Sequence, residues 1–367
     1  MKVVQLLPAL NGGGVEKGTL EVAKYLVEQG HESIVVSAGG SMVAQLESEG
    51  SRHVSWDLGR KSLLTFRHIW AFRGFLKEER PDILHLRSRM PAWVAWFAWK
   101  GLPKASRPKL ITTVHGLYSV SKYSQIMCRG EAVIAVSNTV KEYILSNYPD
   151  TLPENIKLIY RGVDPAEWPY GYVASSDWKD SFFEQFPKAK GKKILCLPGR
   201  LTRLKGHRDF LELMHSIAAE NDDIHALIVG GEDPKRKEYA NELYRLVKEL
   251  GLSDRVTFTG ARRDIREIFA ISEIVYSLST KPESFGRTVL EALSLGRPVL
   301  GYDHGGVGEI LENTFSFGRV KFNDLIEMQN KTLATLSLFK KPEEIQIFKK
   351  ESMLIKTTEL YQRIHEL

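Results

Sequence analysis

Four charged residues in the second half of the chain are spaced to hold an anionic, hydroxyl-rich ligand. Arg200 and Lys205 share the segment Leu197-Pro198-Gly199-Arg200-Leu201-Thr202-Arg203-Leu204-Lys205-Gly206-His207, and two cations ahead of a helix can grip a diphosphate without a metal. Glu283 and Glu291 stand eight residues apart in Pro282-Glu283-Ser284-Phe285-Gly286-Arg287-Thr288-Val289-Leu290-Glu291-Ala292. Glu283 falls in a loop and Glu291 on the helix that follows, so the carboxylates can address different parts of one ligand. Carboxylates accept well from vicinal hydroxyls, and the amides around Phe285 and Gly286 suit phosphate oxygens. Each piece has a plainer reading: a solvated basic loop, a surface helical charge at Glu291, and a dipole-favoured N-terminal charge at Glu283.

In the first half, Asn11-Gly12-Gly13-Gly14 opens a helix, where bare amides can approach an anion. A dinucleotide-binding fold would close its next strand on a carboxylate. That strand instead ends Ser37-Ala38-Gly39-Gly40, which disfavours a nicotinamide cofactor and leaves a tight packing turn as the alternative.

Alternating apolar strands and amphipathic helices must position these residues. Strands are expected at Val3 to Leu7, Ser33 to Ser37, Ile83 to Leu86, Leu110 to Val114, Ala132 to Val136 and Ile156 to Ile159. A second set is expected at Lys193 to Leu197, His225 to Val229, Val256 to Thr259, Ile274 to Ser277 and Pro298 to Gly301. Helical patterns intervene, among them Val15 to Gln29, Val140 to Ser146, Gly206 to Ala219 and Lys237 to Leu250. Nearly all-apolar strands separated by helices imply parallel sheets covered on both faces. The fold class is therefore α/β, with two facing Rossmann-like, doubly wound domains. The expected division is residues 1–165, a connection at 166–190, residues 191–340, and a closing helix at 341–367 that packs back toward the first domain. In open α/β sheets ligands bind beyond the carboxyl ends of the strands, where all of these motifs lie.

Composition sets limits. The chain has 367 residues with 43% hydrophobic and 26% charged, which excludes disorder and fibrous classes and suits two globular domains. Its longest uncharged apolar run, Met90 to Trp99, is half of what a membrane-spanning helix needs. The start, Met1 to Leu10, reads as a strand and not as a secretion signal, so the expected location is the cytoplasm. Cys128 and Cys196 lack metal-site spacing and are expected as reduced, buried thiols. Net charge is +6, yet residues 51–130 hold 15 Lys or Arg against 4 Asp or Glu, together with five of the seven tryptophans. Such a stretch suits an anionic membrane surface or nucleic acid, or else is a solvated basic face over buried tryptophans.

The ordered set of Asn11 to Gly14, Thr113-Val114-His115-Gly116, Val136-Ser137, Arg161-Gly162-Val163-Asp164, Gly199-Arg200-Leu201 with Lys205-Gly206, Glu283 with Glu291, and Gly305-Gly306-Val307-Gly308-Glu309 resembles the family 4 glycosyltransferases of the GT-B fold. The resemblance runs from residue 1 to about residue 312. It implies a retaining, metal-independent transferase without a cofactor, whose second domain binds a nucleotide sugar and whose first domain binds the acceptor. By resemblance Arg200 and Lys205 grip the donor diphosphate, Glu291 holds the ribose, and Glu283 with Phe285 and Gly286 engages the sugar and phosphate. His115 reaches the donor sugar, Gly13 and Gly14 approach from the first domain, and Gly199 belongs to the donor loop. Thr259, Gly260 and Arg262 are expected beside the base, where nothing separates uracil from guanine or adenine; UDP is the expectation from family frequency.

The segment His85-Leu86-Arg87-Ser88-Arg89-Met90-Pro91-Ala92-Trp93, with Gly116-Leu117-Tyr118 through Ser124, resembles members that act on lipopolysaccharide core or other envelope glycans. Arg87, Arg89 and Tyr118 are the implied acceptor residues. The implied partners are a nucleotide sugar, a glycan or glycolipid acceptor and the inner face of the plasma membrane, with no nucleic acid. After Glu309 the sequence departs from the family, so contacts of that loop do not transfer. The competing readings are a non-catalytic nucleotide-sugar-binding protein and a GT-B-like epimerase or phosphorylase.

Overall fold

In the computed structural model, which describes residues 1–219, 221–232, 237–338 and 340–366, strands and helices alternate along the chain. The first seven strands are β1 (Lys2–Leu6), β2 (Glu32–Ser37), β3 (Arg52–Ser55), β4 (Ile83–Leu86), β5 (Lys109–Val114), β6 (Ala132–Ala135) and β7 (Ile156–Leu158). They form one sheet in the order 3-2-1-4-5-6-7, with every pairing parallel. The helices between them are α1 (Gly14–Glu28), α2 (Val43–Ser48), α3 (His68–Glu79), α4 (Arg89–Lys100) and α5 (Asn138–Asn147). Then follow α6 (Ser176–Gln185), β8 (Lys193–Pro198), α7 (His207–Ala218), β9 (Ile224–Val229), α8 (Lys237–Glu249), β10 (Val256–Gly260), α9 (Ile265–Ala270) and β11 (Ser272–Ser277). The chain continues through α10 (Arg287–Ser294), β12 (Val299–Tyr302), α11 (Gly305–Thr314), β13 (Arg319–Val320), α12 (Leu325–Leu338) and α13 (Lys350–Glu366). Strands β8 to β13 form a second parallel sheet in the order 10-9-8-11-12-13.

The chain divides into two compact units, residues 1–161 with 350–367 and residues 162–349. The segment 166–190, expected as a connection, lies inside the second unit and carries α6. Ser175 caps that helix by accepting from Trp178 N, and the Trp178 indole donates to Asp264. Helix α13 belongs to the first unit. Its Met353, Leu354, Leu360, Tyr361 and Ile364 are buried with Val3 and Ile83 of the sheet and Val22 and Leu26 of α1. The closing helix expected at 341–367 begins only at Lys350: Phe348 stands at φ 55°, in the left-handed region, and its carbonyl accepts from Val163 N; Leu367 lies outside the described residues. The second unit has its own core, in which Leu195, Ile228 and Ile274 of the sheet meet Phe210 and Met214 of α7 and Leu243 of α8.

Eleven strand positions match the expectations within about two residues. Strands β3 and β13 are additional. β3 is an edge strand, Arg52-His53-Val54-Ser55, with no fully buried residue, and β13 is two residues long, so neither offers an apolar run to read. Cys128 and Cys196 are buried free thiols; burial pushes Cys128 up to about 11 and Cys196 up to about 12.

Candidate active site

In each sheet the strand order reverses at a central pair, β1 with β4 and β8 with β11, and loops leaving the carboxyl ends of such pairs diverge to leave a ligand crevice. In the second unit the loop after β8 carries Gly199, Arg200 and Lys205, and the loop after β11 carries Glu283. The structure brings them together: Lys205 Nζ donates to Glu283 Oε1 at 2.6 Å. Gly206 permits this approach. It sits at φ 69°, and a Cβ there would lie 1.9 Å from Leu278 O, so any other residue would push the Lys205 loop off β11.

Ser279 also donates to Glu283 Oε1, and His304 Nε2 in turn bonds Ser279 O at 2.8 Å. Burial pushes the Glu283 carboxyl up, but Lys205 and Ser279 outweigh it and hold the group below its ordinary value. It is an oriented carboxylate. Lys205, Ser279, Glu283, Gly286 and Thr288 line one pocket. Gly286 starts α10 and Phe285 before it is buried, so the amides at the helix start border the pocket.

Glu291 lies on α10, where Arg287 Nε donates to it at 3.0 Å. Arg200 is exposed and makes no hydrogen bond or ion pair with a described residue, whereas Arg203 is committed to Glu242 at 2.6 Å. Thr259 and Gly260 close β10, with Gly260 exposed. Arg262 is already engaged: its Nε bonds Asp264 at 2.8 Å and its Nη1 bonds Gln185 at 3.0 Å, which makes it a brace for α6.

In the first unit Gly13 caps α1 and Gly14 begins it, with open space where a Cβ at Gly14 would stand. His115 ends β5. Arg161 Nη2 donates to His115 Nδ1 at 2.8 Å, and because a guanidinium only donates, the neutral ring carries its proton on Nε2. Burial first, then Arg161 and Arg87, hold His115 well below the ordinary histidine value. Gly18 of α1 makes room for this arrangement, since a Cβ there would sit 1.8 Å from Arg161 Nη1.

The acceptor candidates divide. Arg89 lies with its guanidinium 4.5 Å from the Tyr118 ring centroid and donates to Ser124 at 3.1 Å; the Tyr118 hydroxyl accepts from His115 N at 3.3 Å. Arg87 does not join them. It is 3% exposed and donates to Gln5 at 2.8 Å. Beside it His85 bridges Tyr361 at 2.6 Å and Thr113 at 2.7 Å.

Sequence reasoning missed Ser279, His304 and the role of Arg161. Only Arg161 carried a signal, its place in the Arg161-Gly162-Val163-Asp164 motif. Among the described residues no group of three or more His, Cys, Asp or Glu is placed to hold a metal ion, and no helix is long and apolar enough to cross a membrane.

Two such sheets with this loop arrangement are those of the GT-B fold. The chain belongs to the family 4 glycosyltransferases: it matches Glycosyltransferase Family 4 over residues 12–167 and Glycosyl transferases group 1 over residues 179–350. It is similar in structure to a glycosyltransferase from Rickettsia africae, with TM-score 0.86, 29% identity, and 99% of this chain and 98% of that one covered. It shares its fold with Anabaena Alr3699/HepE, solved with UDP and glucose, with TM-score 0.83, 21% identity, and 99% and 100% covered. In sequence it is 26% identical over 320 residues to spore coat protein SA of Bacillus subtilis strain 168, covering 83% of this chain and 80% of that protein.

Proposed function

We propose that this protein transfers a sugar from a nucleoside-diphosphate sugar, with UDP as the nucleotide, to a glycan or glycolipid acceptor of the cell envelope such as lipopolysaccharide. The observation that carries this reading is the meeting of Lys205 and Glu283 at the carboxyl ends of β8 and β11 beside the amide-bearing start of α10. UDP and glucose in the Anabaena relative support the donor class. Support for the envelope acceptor comes from the likeness of the segments around Arg89 and Tyr118 to those of members that act on envelope glycans.

Departure of a nucleoside diphosphate builds negative charge on its oxygens. Lys205, Arg200 and the amides of Phe285 and Gly286 meet that charge with fixed dipoles and cations, and one such donor is worth about 3 to 4 kcal/mol of barrier. These groups supply the stabilisation that a metal would otherwise give, so transfer is proposed to be metal-independent. Glu283 accepts from sugar hydroxyls, Glu291 from the ribose, and His115 offers Nε2–H to the donor sugar. No carboxylate is assigned as a base against the acceptor; the leaving phosphate takes the acceptor proton on the face it departs from, which retains the anomeric configuration.

The test is thermal stabilisation by UDP, GDP, ADP, their sugar conjugates and NAD, with chelator throughout, on the wild type and Lys205→Ala. A ligand at 100 times its dissociation constant adds about 2.7 kcal/mol. Stabilisation by one diphosphate series that is lost in Lys205→Ala supports the reading. Stabilisation by NAD alone would end it.

A further inference from the structure

The short loop from β12 to α11, Asp303-His304, runs against the loop that carries Glu283. Gly306 N, at the start of α11, donates to Glu283 O at 2.8 Å. Gly305 stands at φ 60°, and a Cβ there would lie 2.7 Å from the same oxygen, so the two segments cross at a distance that only glycine allows. One position earlier, His304 Nε2 donates to Ser279 O at 2.8 Å. A carbonyl only accepts, so Nε2 carries a hydrogen whichever charge state the ring adopts.

The imidazole that makes this bond is fixed by its neighbours. Phe322, in the turn after β13, stacks on it with ring centroids 5.0 Å apart and planes 29° apart. Buried Tyr302 meets Phe322 edge-on at 5.3 Å, and its hydroxyl donates to Asp209 of α7 at 2.6 Å, which ties the stack to the core. Asp303, the nearest carboxylate along the chain, is paired with Arg319 at 2.9 Å. A ring clamped in this way holds one carbonyl at a set place.

That carbonyl belongs to a residue that orients Glu283. Ser279 is 5% exposed, and its hydroxyl donates to Glu283 Oε1, the oxygen that also takes Lys205 Nζ at 2.6 Å. The next residue, Thr280, donates its N–H to Leu204 O at 2.9 Å, so the segment is tied to the Lys205 loop as well. Two donors therefore converge on Oε1, while Oε2 makes no hydrogen bond with a described residue. Which oxygen remains for a ligand depends on where the Ser279 hydroxyl stands, and that depends on His304.

We propose that His304 is a positioning residue for Glu283: by holding Ser279 O it keeps the Ser279 hydroxyl on Oε1 and leaves Oε2 for the sugar hydroxyls of the donor. This rests on the proposed donor role of Glu283. The effect is confined to the sugar, because the cations and helix-start amides assigned to the diphosphate do not pass through His304.

The experiment compares the full chain with His304→Leu, which removes the donor but keeps an apolar contact for Phe322, and with His304→Gln, whose amide nitrogen stands near the place of Nε2. His304→Asn, whose amide falls nearer Nδ1, is a second variant without a donor toward Ser279. Carbon NMR titration of the Glu283 carboxyl is read without ligand, and calorimetry is read with UDP and with UDP-glucose. In His304→Leu and His304→Asn the carboxyl should titrate higher than in the wild type, and the preference for UDP-glucose over UDP should fall about tenfold, with UDP affinity and melting temperature kept. His304→Gln should restore both. Ser279→Ala should give the same losses, and adding His304→Leu to it should do nothing further.

His304 also acts on Glu283 through charge, and the uncharged Gln separates that effect from positioning: His304→Gln behaving like His304→Leu would overturn the proposal. So would a Glu283 titration unchanged in the variants without a donor, or affinities for UDP and UDP-glucose that fall together. The titration needs no ligand, so it decides the role of His304 even where UDP-glucose is not the donor. Failure of every nucleotide to bind, with the titration moving as expected, would end the transferase reading and leave the His304, Ser279 and Glu283 linkage standing.

Discussion

Arg161 Nη2 donates to His115 Nδ1 at 2.8 Å, across 46 positions of sequence. The bond fixes the tautomer of a half-buried, neutral imidazole, so Arg161 is a positioning residue for His115. Replacing Arg161 with Leu should lower kcat by about 10- to 100-fold, the cost of one charged hydrogen bond at the reacting group, while UDP still stabilises the second unit. Gly18→Ala should reproduce part of this loss by displacing the guanidinium. Nitrogen chemical shifts of His115 report the tautomer directly, and an unchanged Nε2–H form in Arg161→Leu would remove the assignment.

Lys205→Ala leaves Glu283 half-buried with Ser279 as its remaining partner. Nucleotide affinity should fall by about 10- to 100-fold, and the Glu283 carboxyl should titrate higher than in the wild type. Calorimetry with UDP measures the first, and the pH dependence of binding the second. Wild-type affinity in this variant would take the diphosphate away from Lys205.

Acid should weaken the second unit before carboxylates begin to protonate. Burial pushes His207 and His225 down to about 4 from an ordinary 6.5, and nearby cations add to the effect. Between those values the unfolded chain binds protons that the folded chain refuses, so stability falls as pH drops through this window and is fully present above it. Each histidine contributes on the order of 3 kcal/mol to the fall. Thermal melts against pH should show it, and His225→Asn should make the slope shallower.

Tyr361→Phe should cost about 1 to 3 kcal/mol, because the buried hydroxyl is bonded to His85 at 2.6 Å. Denaturant midpoints will measure this. No loss of stability would mean that His85 finds another partner.

The sheets were legible because their strands are apolar runs with loops of Gly, Arg and Glu at the carboxyl ends, the end where open α/β sheets bind ligands, but the meeting of Lys205 with Glu283 needed the strand order that the folded chain reveals. The burial of Arg87 was not legible: an arginine in a basic stretch ordinarily lies in solvent, and only the folded chain reveals its bond to Gln5. Arg161 and His115 follow non-adjacent strands, β7 and β5, so no local pattern links them.

The first unit is assembled from both ends of the described chain, with α13 filling its core. During synthesis the second unit therefore has all of its residues before the first does. The cluster that joins Ile83 and Val3 to Tyr361 can close only after every residue of the second unit has been made.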